Sequence, residues 1–108
     1  MGKIEIGTIV LLKFPFTDGI SCKRRPALVL KDFDDGDLLV CRITSKIYND
    51  KYDIYLADWL KFGLKLPSVI RVHKMASLEN VLVETIMGQI DETILCKVRL
   101  LYQSIIAE

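Results

Sequence analysis

Apolar residues recur in this chain with two different periods. Through most of its length they come in short runs of β-branched and aliphatic residues, punctuated by Gly, Pro and Asp. Near the end they fall instead on one helical stripe. The run "TIVLLKF" after Gly7 predicts a first strand that stops before Pro15. "FPFTDGISCKRR" then carries Pro, Asp-Gly and Ser, and predicts an exposed loop. "PALVLKD" is nearly all apolar and predicts a strand buried on both faces, with Pro26 at its start, where a strand tolerates proline.

Asp35-Gly36 is a tight-turn signal, and "LLVCRIT" beyond it predicts the return strand. "DFDDGD" has some look of a calcium loop, but the position that must be Glu in an EF-hand is Ile43. "DIYL" reads as a short strand and "ADWLKFGL" as one helical turn ended by Gly63. After Pro67, "SVIRVHKM" and then "LVETIMGQI" predict two more strands.

Ile94, Leu95, Val98, Leu101, Tyr102 and Ile105 form a single stripe at α-helical spacing, with Asp91 placed as its N-cap. Short strands followed by one amphipathic helix predict a mainly β fold: a small barrel closed by a C-terminal helix. With 108 residues and no internal repeat, a single domain over 1–108 is expected.

Charge narrows the partners. Fifteen Lys and Arg against fourteen Asp and Glu give +1, so any polyanion must be met by a local patch and not by a global field. Three scattered cysteines without a C-x-x-C pair, and a single histidine, leave no zinc set; no metal or cofactor is expected. Scattered thiols and no signal-like segment point to a reducing cytoplasm. No apolar run approaches the ~20 residues that a membrane helix needs, so no membrane partner is expected.

Four short stretches carry the candidate chemistry. "KRRP" places Arg24 and Arg25 where the loop enters the second strand. "ITSK" places Thr44 and Lys46 at the end of the third. "SVIRVHK" sets Arg71 and the lone His73 two residues apart, on one side of a strand, with Lys74 beside them. The loop adds Phe14 and Phe16, aromatic faces on which bases can stack. Taken singly, each stretch reads as well as a solvated edge, a turn or a packed histidine.

Their order is more specific. The leading Gly-to-strand segment, "PFTD", "KRRPALVL", "ITSK", "SVIRVHK" and a final helix together resemble the PemK/MazF family of bacterial toxins, from Gly7 to the last helix. The resemblance implies an SH3-like barrel of the PemK/MazF/CcdB type and a homodimer. It also implies metal-independent cleavage of single-stranded RNA, commonly messenger RNA, and a cognate antitoxin that occludes the RNA groove. It matches the family's functional arginine to Arg25, its hydroxyl to Thr44 and its later-strand arginine to Arg71. The chain departs from some members in having His73 where they carry an acidic residue, and in lacking a histidine in the first loop.

The residues support that chemistry on their own terms. RNA brings its own nucleophile, the 2′-OH, and cleavage then needs a base, charge stabilisation at the phosphorane and a proton for the leaving 5′ oxygen. Imidazole is the side chain suited to proton transfer near neutral pH, which assigns His73 as base. Arginine fits two phosphate oxygens, which assigns Arg25 to the transition state and Arg71 as second cation. Thr44 can bond a phosphate oxygen or the 2′-OH, while Arg24, Lys46 and Lys74 follow the backbone and Phe14 and Phe16 stack bases. The competing expectations are a family member that cuts poorly, a CcdB-like poison that grips a topoisomerase, and a peptide-binding SH3-like adaptor.

Overall fold

The computed structural model describes residues 3–15 and 20–107. Six strands, β1 (Thr8–Pro15), β2 (Cys22–Asp32), β3 (Asp37–Thr44), β4 (Asp53–Leu56), β5 (Ser68–Glu79) and β6 (Val83–Gln89), are followed by one helix, α1 (Glu92–Ala107). All pairings are antiparallel, and the order across the sheet is β4-β5-β3-β2-β1-β6. The mainly β fold with a C-terminal helix is the one that the sequence predicts.

Two expected boundaries move. β2 begins at Cys22, so Arg24 and Arg25 lie on a strand paired to Lys13 and Leu12 of β1, and not in a loop. β5 runs on to Glu79 and is sharply irregular in its middle. Cys41 pairs with Met75 but the next residue, Arg42, pairs with Arg71, so Val72, His73 and Lys74 bulge out of the ladder. Further extra residues, Leu30 on β2 and Met87 and Glu84 on β6, strengthen the curl of the sheet.

The curl gives the sheet two cores. One face packs Ile9, Leu28, Cys41, Ile43, Ile54 and Ile70 against Leu95 and Val98 of α1. The other, nearer the β1–β2–β3 end, gathers Val10, Leu12, Ala27, Val29, Leu38 and Val40. Four successive residues, Ala27 to Leu30, are therefore all buried, in line with the two-sided strand expected there. The helical stripe from Ile94 to Ile105 faces the first core throughout. Asp91 caps α1 as expected: its Oδ1 accepts the Ile94 N–H at 2.9 Å.

The barrel does not close by hydrogen bonds, because β4 and β6 are the two edges of the sheet among the described residues. A turn after β4 fills the gap. The Gly63 N–H bonds to the Leu60 carbonyl and the Leu64 N–H to the Trp59 carbonyl, a helix-ending motif with Gly63 at φ 83°. It buries Phe62 and Leu64 and brings the chain hard against β6. A Cβ on Gly88 would lie 2.7 Å from the Phe62 carbonyl oxygen, and one on Gly63 would meet the Met87 carbonyl. Backbone against backbone thus replaces the missing ladder.

Two measurements check these features. Gly88→Ala should lower stability by about 1–3 kcal/mol in denaturant unfolding, the usual cost of overpacking; an unchanged midpoint would mean that the turn is not pinned to β6. The second concerns Asp32, which accepts the Ile4 N–H at 2.8 Å and the Asp34 N–H at 2.9 Å. These two donors hold its carboxyl below the usual carboxylate range. A carboxyl lowered on folding stabilises above its unfolded value, about 3.9, and loses that contribution as pH falls through its folded value. Asp32→Asn should therefore be less stable than the parent at pH 7, with a gap that narrows below about pH 4.

Candidate functional site

Two hollows open beside the start of β2, and Arg25 and Pro26 line both. The first, of about 330 Å³, also takes Arg24, Thr44, Ser45, Lys65 and Ser68. Leu11, Leu64 and Met87 supply its apolar wall. No carboxylate lines it among the described residues. The sequence-predicted pair Arg25 and Thr44 therefore meets here. Antiparallel pairing of β2 with β3 brings them level, since Ala27 opposes Arg42 and each strand then runs two residues on.

Thr44 is nearly buried, and its Oγ1 accepts the Lys46 N–H at 3.2 Å. That bond is turn chemistry, yet it leaves the hydroxyl proton free to be donated and fixes the oxygen at the hollow's rim. Arg25 is exposed and has no carboxylate partner among the described residues. Arg24, by contrast, is paired. Its Nε and Nη2 donate to Glu84 at 2.7 and 3.0 Å, raising its own pKa and holding the Glu84 carboxyl below the usual range. It lines the hollow while tied to β6.

Arg71 and His73 line neither hollow. Arg71 is only 7% exposed and is enclosed by the segment before β4. Its Nε donates to Asp53 Oδ1 at 3.0 Å, its Nη2 lies 3.8 Å from Asp50 Oδ2, and its guanidinium carbon sits 3.8 Å from the centre of the Tyr48 ring. The Asp53 carboxylate also accepts the Asp50 N–H. Asp50 in turn accepts the Tyr52 N–H, which is the main reason that its carboxyl is held low, with His73 and Arg71 adding to the effect. A guanidinium this buried is stable only when paired, and here the pairing knits residues 48–53 to β5.

His73 is half-buried on the bulge, with its ring 5.1 Å from that of Tyr52. Its Nδ1 is buried with no hydrogen-bond partner among the described residues. Arg71 and His73 thus do face one neighbour, the 48–53 segment, as their spacing predicts. That neighbour is acidic and aromatic. Lys46 lies with its Nζ 4.9 Å from the centre of the same Tyr48 ring. Phe16 lies outside the described residues.

The second hollow, of about 320 Å³, joins Phe14 and Lys74 to Arg25. It also brings in Lys23 and Arg42, which the motif-led reading of the sequence missed. Arg42 had a visible signal: it is the one charged residue within the otherwise apolar "LLVCRIT" after its turn. Burial pushes the Cys41 thiol up to about 12, which leaves it without a reactive thiolate. Among the described residues no His, Cys, Asp and Glu side chains converge as a metal-ligand set, and no helix is long and apolar enough to cross a membrane.

The fold matches a MazE–MazF complex from Deinococcus radiodurans at a TM-score of 0.81, with 22% identity over 99% of this chain and 98% of that one. It also matches a mycobacterial endoribonuclease in complex with its cognate antitoxin, at 0.74 and 10% identity over 96% and 95% of the two chains. The toxin MazF-mt6 of Mycobacterium tuberculosis matches at 0.71 and 14% identity, over 91% and 96%. Identities this low show a shared fold. No curated protein matches the sequence. The family model described as PemK-like, MazF-like toxin of type II toxin–antitoxin system matches residues 5–105, and the chain belongs to that family.

Proposed function

We propose that this protein is the toxin of a type II toxin–antitoxin pair and cleaves single-stranded RNA, messenger RNA included, without a metal ion. The observation that carries the reading is the hollow in which Arg25 and the Thr44 hydroxyl meet, with no ion-pair partner for Arg25 and no carboxylate in the lining among the described residues. Such a site attracts a phosphodiester and offers it a guanidinium fork and a hydroxyl donor. The RNA supplies the 2′-OH as nucleophile. Attack on the adjacent phosphorus forms the 2′,3′-cyclic phosphate and breaks the bond to the 5′ oxygen, which leaves as a 5′-OH once protonated. Arg25 stabilises the charge that grows on the phosphorane, and Thr44 holds a non-bridging oxygen or the attacking hydroxyl.

Proton transfer falls to His73, the chain's one imidazole. Arg71 has a different task in this reading: its guanidinium is spent on Asp53 and Asp50, so it fixes residues 48–53 and, through them, the environment of His73. Lys46 and Lys74 follow the RNA backbone, and Arg24 braces the rim through Glu84. The protein works as one domain in the cytoplasm, as a homodimer, and is held silent by a cognate antitoxin. Toxin–antitoxin complexes among the fold neighbours support that last point.

A second reading has one observation in its favour. His73 lines neither hollow, which fits a family member that binds RNA but cuts it poorly. Cleavage of a long mixed-sequence RNA in chelator separates the two. Wild type should give cuts at a short shared motif with 5′-OH ends, and Arg25→Ala should lose about 10²–10³ in rate, the usual cost of one transition-state donor.

His73→Ala should stay folded and lose about 10²–10⁴, the range for a positioned proton-transfer group. Equal cutting by wild type and His73→Ala would remove the base assignment. Absence of cutting by the folded wild type would select the poorly active member.

A further inference from the structure

A third hollow, of about 340 Å³, lies at the other end of β2, between the turn into β3 and α1. It shares no lining residue with the two hollows that Arg25 joins. Leu30 stands five residues beyond Arg25, about 17 Å along a strand. Ile6, Leu30, Leu39 and Val98 make its floor, as part of the core under α1 or packed against it. Phe33 from the turn and Tyr102 from α1 add two rings to the lining. The Phe33 side is left open to water, with the residue 45% exposed, and an apolar occupant would cover it. The size is that of a small-molecule site.

Two cations stand in this apolar setting, Lys31 and Arg99. Lys31 follows Leu30, and neighbours on a regular strand point to opposite faces. Here Leu30 is the extra residue of a bulge, since Val29 opposes Val40 and Lys31 opposes Leu39. The bulge re-aims the strand, and both side chains line the same hollow. On α1, Arg99 lies four residues after Leu95 and three before Tyr102, at the flank of the buried stripe.

Neither cation has an ion-pair partner, and no carboxylate lines this hollow, among the described residues. Asp32, next to Lys31 in the chain, spends its carboxylate on the Ile4 and Asp34 amides. A contiguous hollow toward the start of α1 shares Lys31 and Arg99 but adds Glu5, Asp32 and Glu92. The two cations thus mark a border, apolar and aromatic on one side and acidic on the other. One negative charge is attracted between them, while a second that extends toward Glu5 and Glu92 is repelled.

We infer that the third hollow is a binding site for a small, flat, apolar molecule with a single anionic group, an aromatic carboxylate in chemical class. The carboxylate lies between Lys31 and Arg99, whose guanidinium offers it a fork. The ring lies on the apolar floor beside Phe33 and Tyr102. A nucleic acid does not fit this description, because its successive phosphates would meet the acidic side. None of these residues takes part in the RNA chemistry, so the site stands or falls apart from the ribonuclease reading.

The probe is 1-naphthylacetate, with 1-naphthaleneethanol as its uncharged counterpart. Calorimetric titration of the wild type should show saturable binding of the anion, about tenfold tighter than the alcohol. Lys31→Gln/Arg99→Gln should lose that advantage for the anion and bind the alcohol as before. Lys23→Gln/Arg42→Gln removes the same charge from the other end of β2 and should keep the wild-type affinity for both. Phe33→Ala should weaken both probes alike. All these positions are exposed, and unchanged unfolding midpoints would show that the variants fold. Amide shifts caused by 1-naphthylacetate should gather at residues 30–33, 39 and 98–102.

Equal affinity of the wild type and Lys31→Gln/Arg99→Gln for the anion would overturn the site. So would the absence of saturable binding at millimolar concentration, or shifts gathered at the hollow of Arg25 and Thr44.

Discussion

The structure depends on how a single sheet buries two faces. Every strand of the β1–β2–β3 region carries apolar residues on both sides, as Ala27 to Leu30 do in succession. One helix can cover only one face. Bulges on β2, β5 and β6 resolve this by curling the sheet, so that Val10, Ala27 and Val29 pack in one core while Leu28 and Leu30 meet the core under α1. The same curl ends short of the first residues of β2 and the last residues of β3. Lys23, Arg25, Arg42 and Thr44 are left on the continuation of an otherwise buried face, and the concave basic surface is a consequence of where burial stops.

Electrostatics then divides the cations into two kinds. Arg71 is buried with Asp53 and Asp50, where loss of either partner would strand a charge in a low-dielectric setting. Arg24 is bound to Glu84 at the surface, an exposed pair of small energetic weight whose effect is on direction. Lys23, Arg25, Arg42 and Lys74 have no such partner among the described residues. A nearly neutral chain thus presents a local positive surface by placing its carboxylates elsewhere, many of them in the 32–37 turn and the 48–53 segment. The functional reading follows from this distribution and not from net charge.

Much of the fold was legible from spacing alone. The helix stripe, its Asp91 cap, the Asp35-Gly36 turn and the Gly63 stop are local signals, and local geometry honours them. What spacing did not carry was long-range. "KRR" reads as the end of the loop because three cations resemble a solvated edge, yet pairing with β1 extends the strand back to Cys22. The open seam between β4 and β6, closed by the Phe62–Gly63 backbone against Gly88, has no signature in periodicity. For the site, motif order singled out Arg25 and Thr44, which the fold brings into one hollow. It could not show that Arg71 would be consumed by Asp53, since that depends on the 48–53 segment folding over it. Arg42 stood out as the one charge within "LLVCRIT", but its place beside Lys23 and Lys74 appears only when three strands are side by side.

The central claim is that RNA lies across the hollows that Arg25 joins. Amide chemical-shift mapping tests it most directly, with isotope-labelled protein titrated against a non-cleavable single-stranded RNA. The account predicts that shifts gather at residues 23–27, 42–46 and 65–68, with α1 unmoved. Shifts centred on α1 and the β4 edge instead, with the 23–27 and 42–46 amides silent, would contradict it.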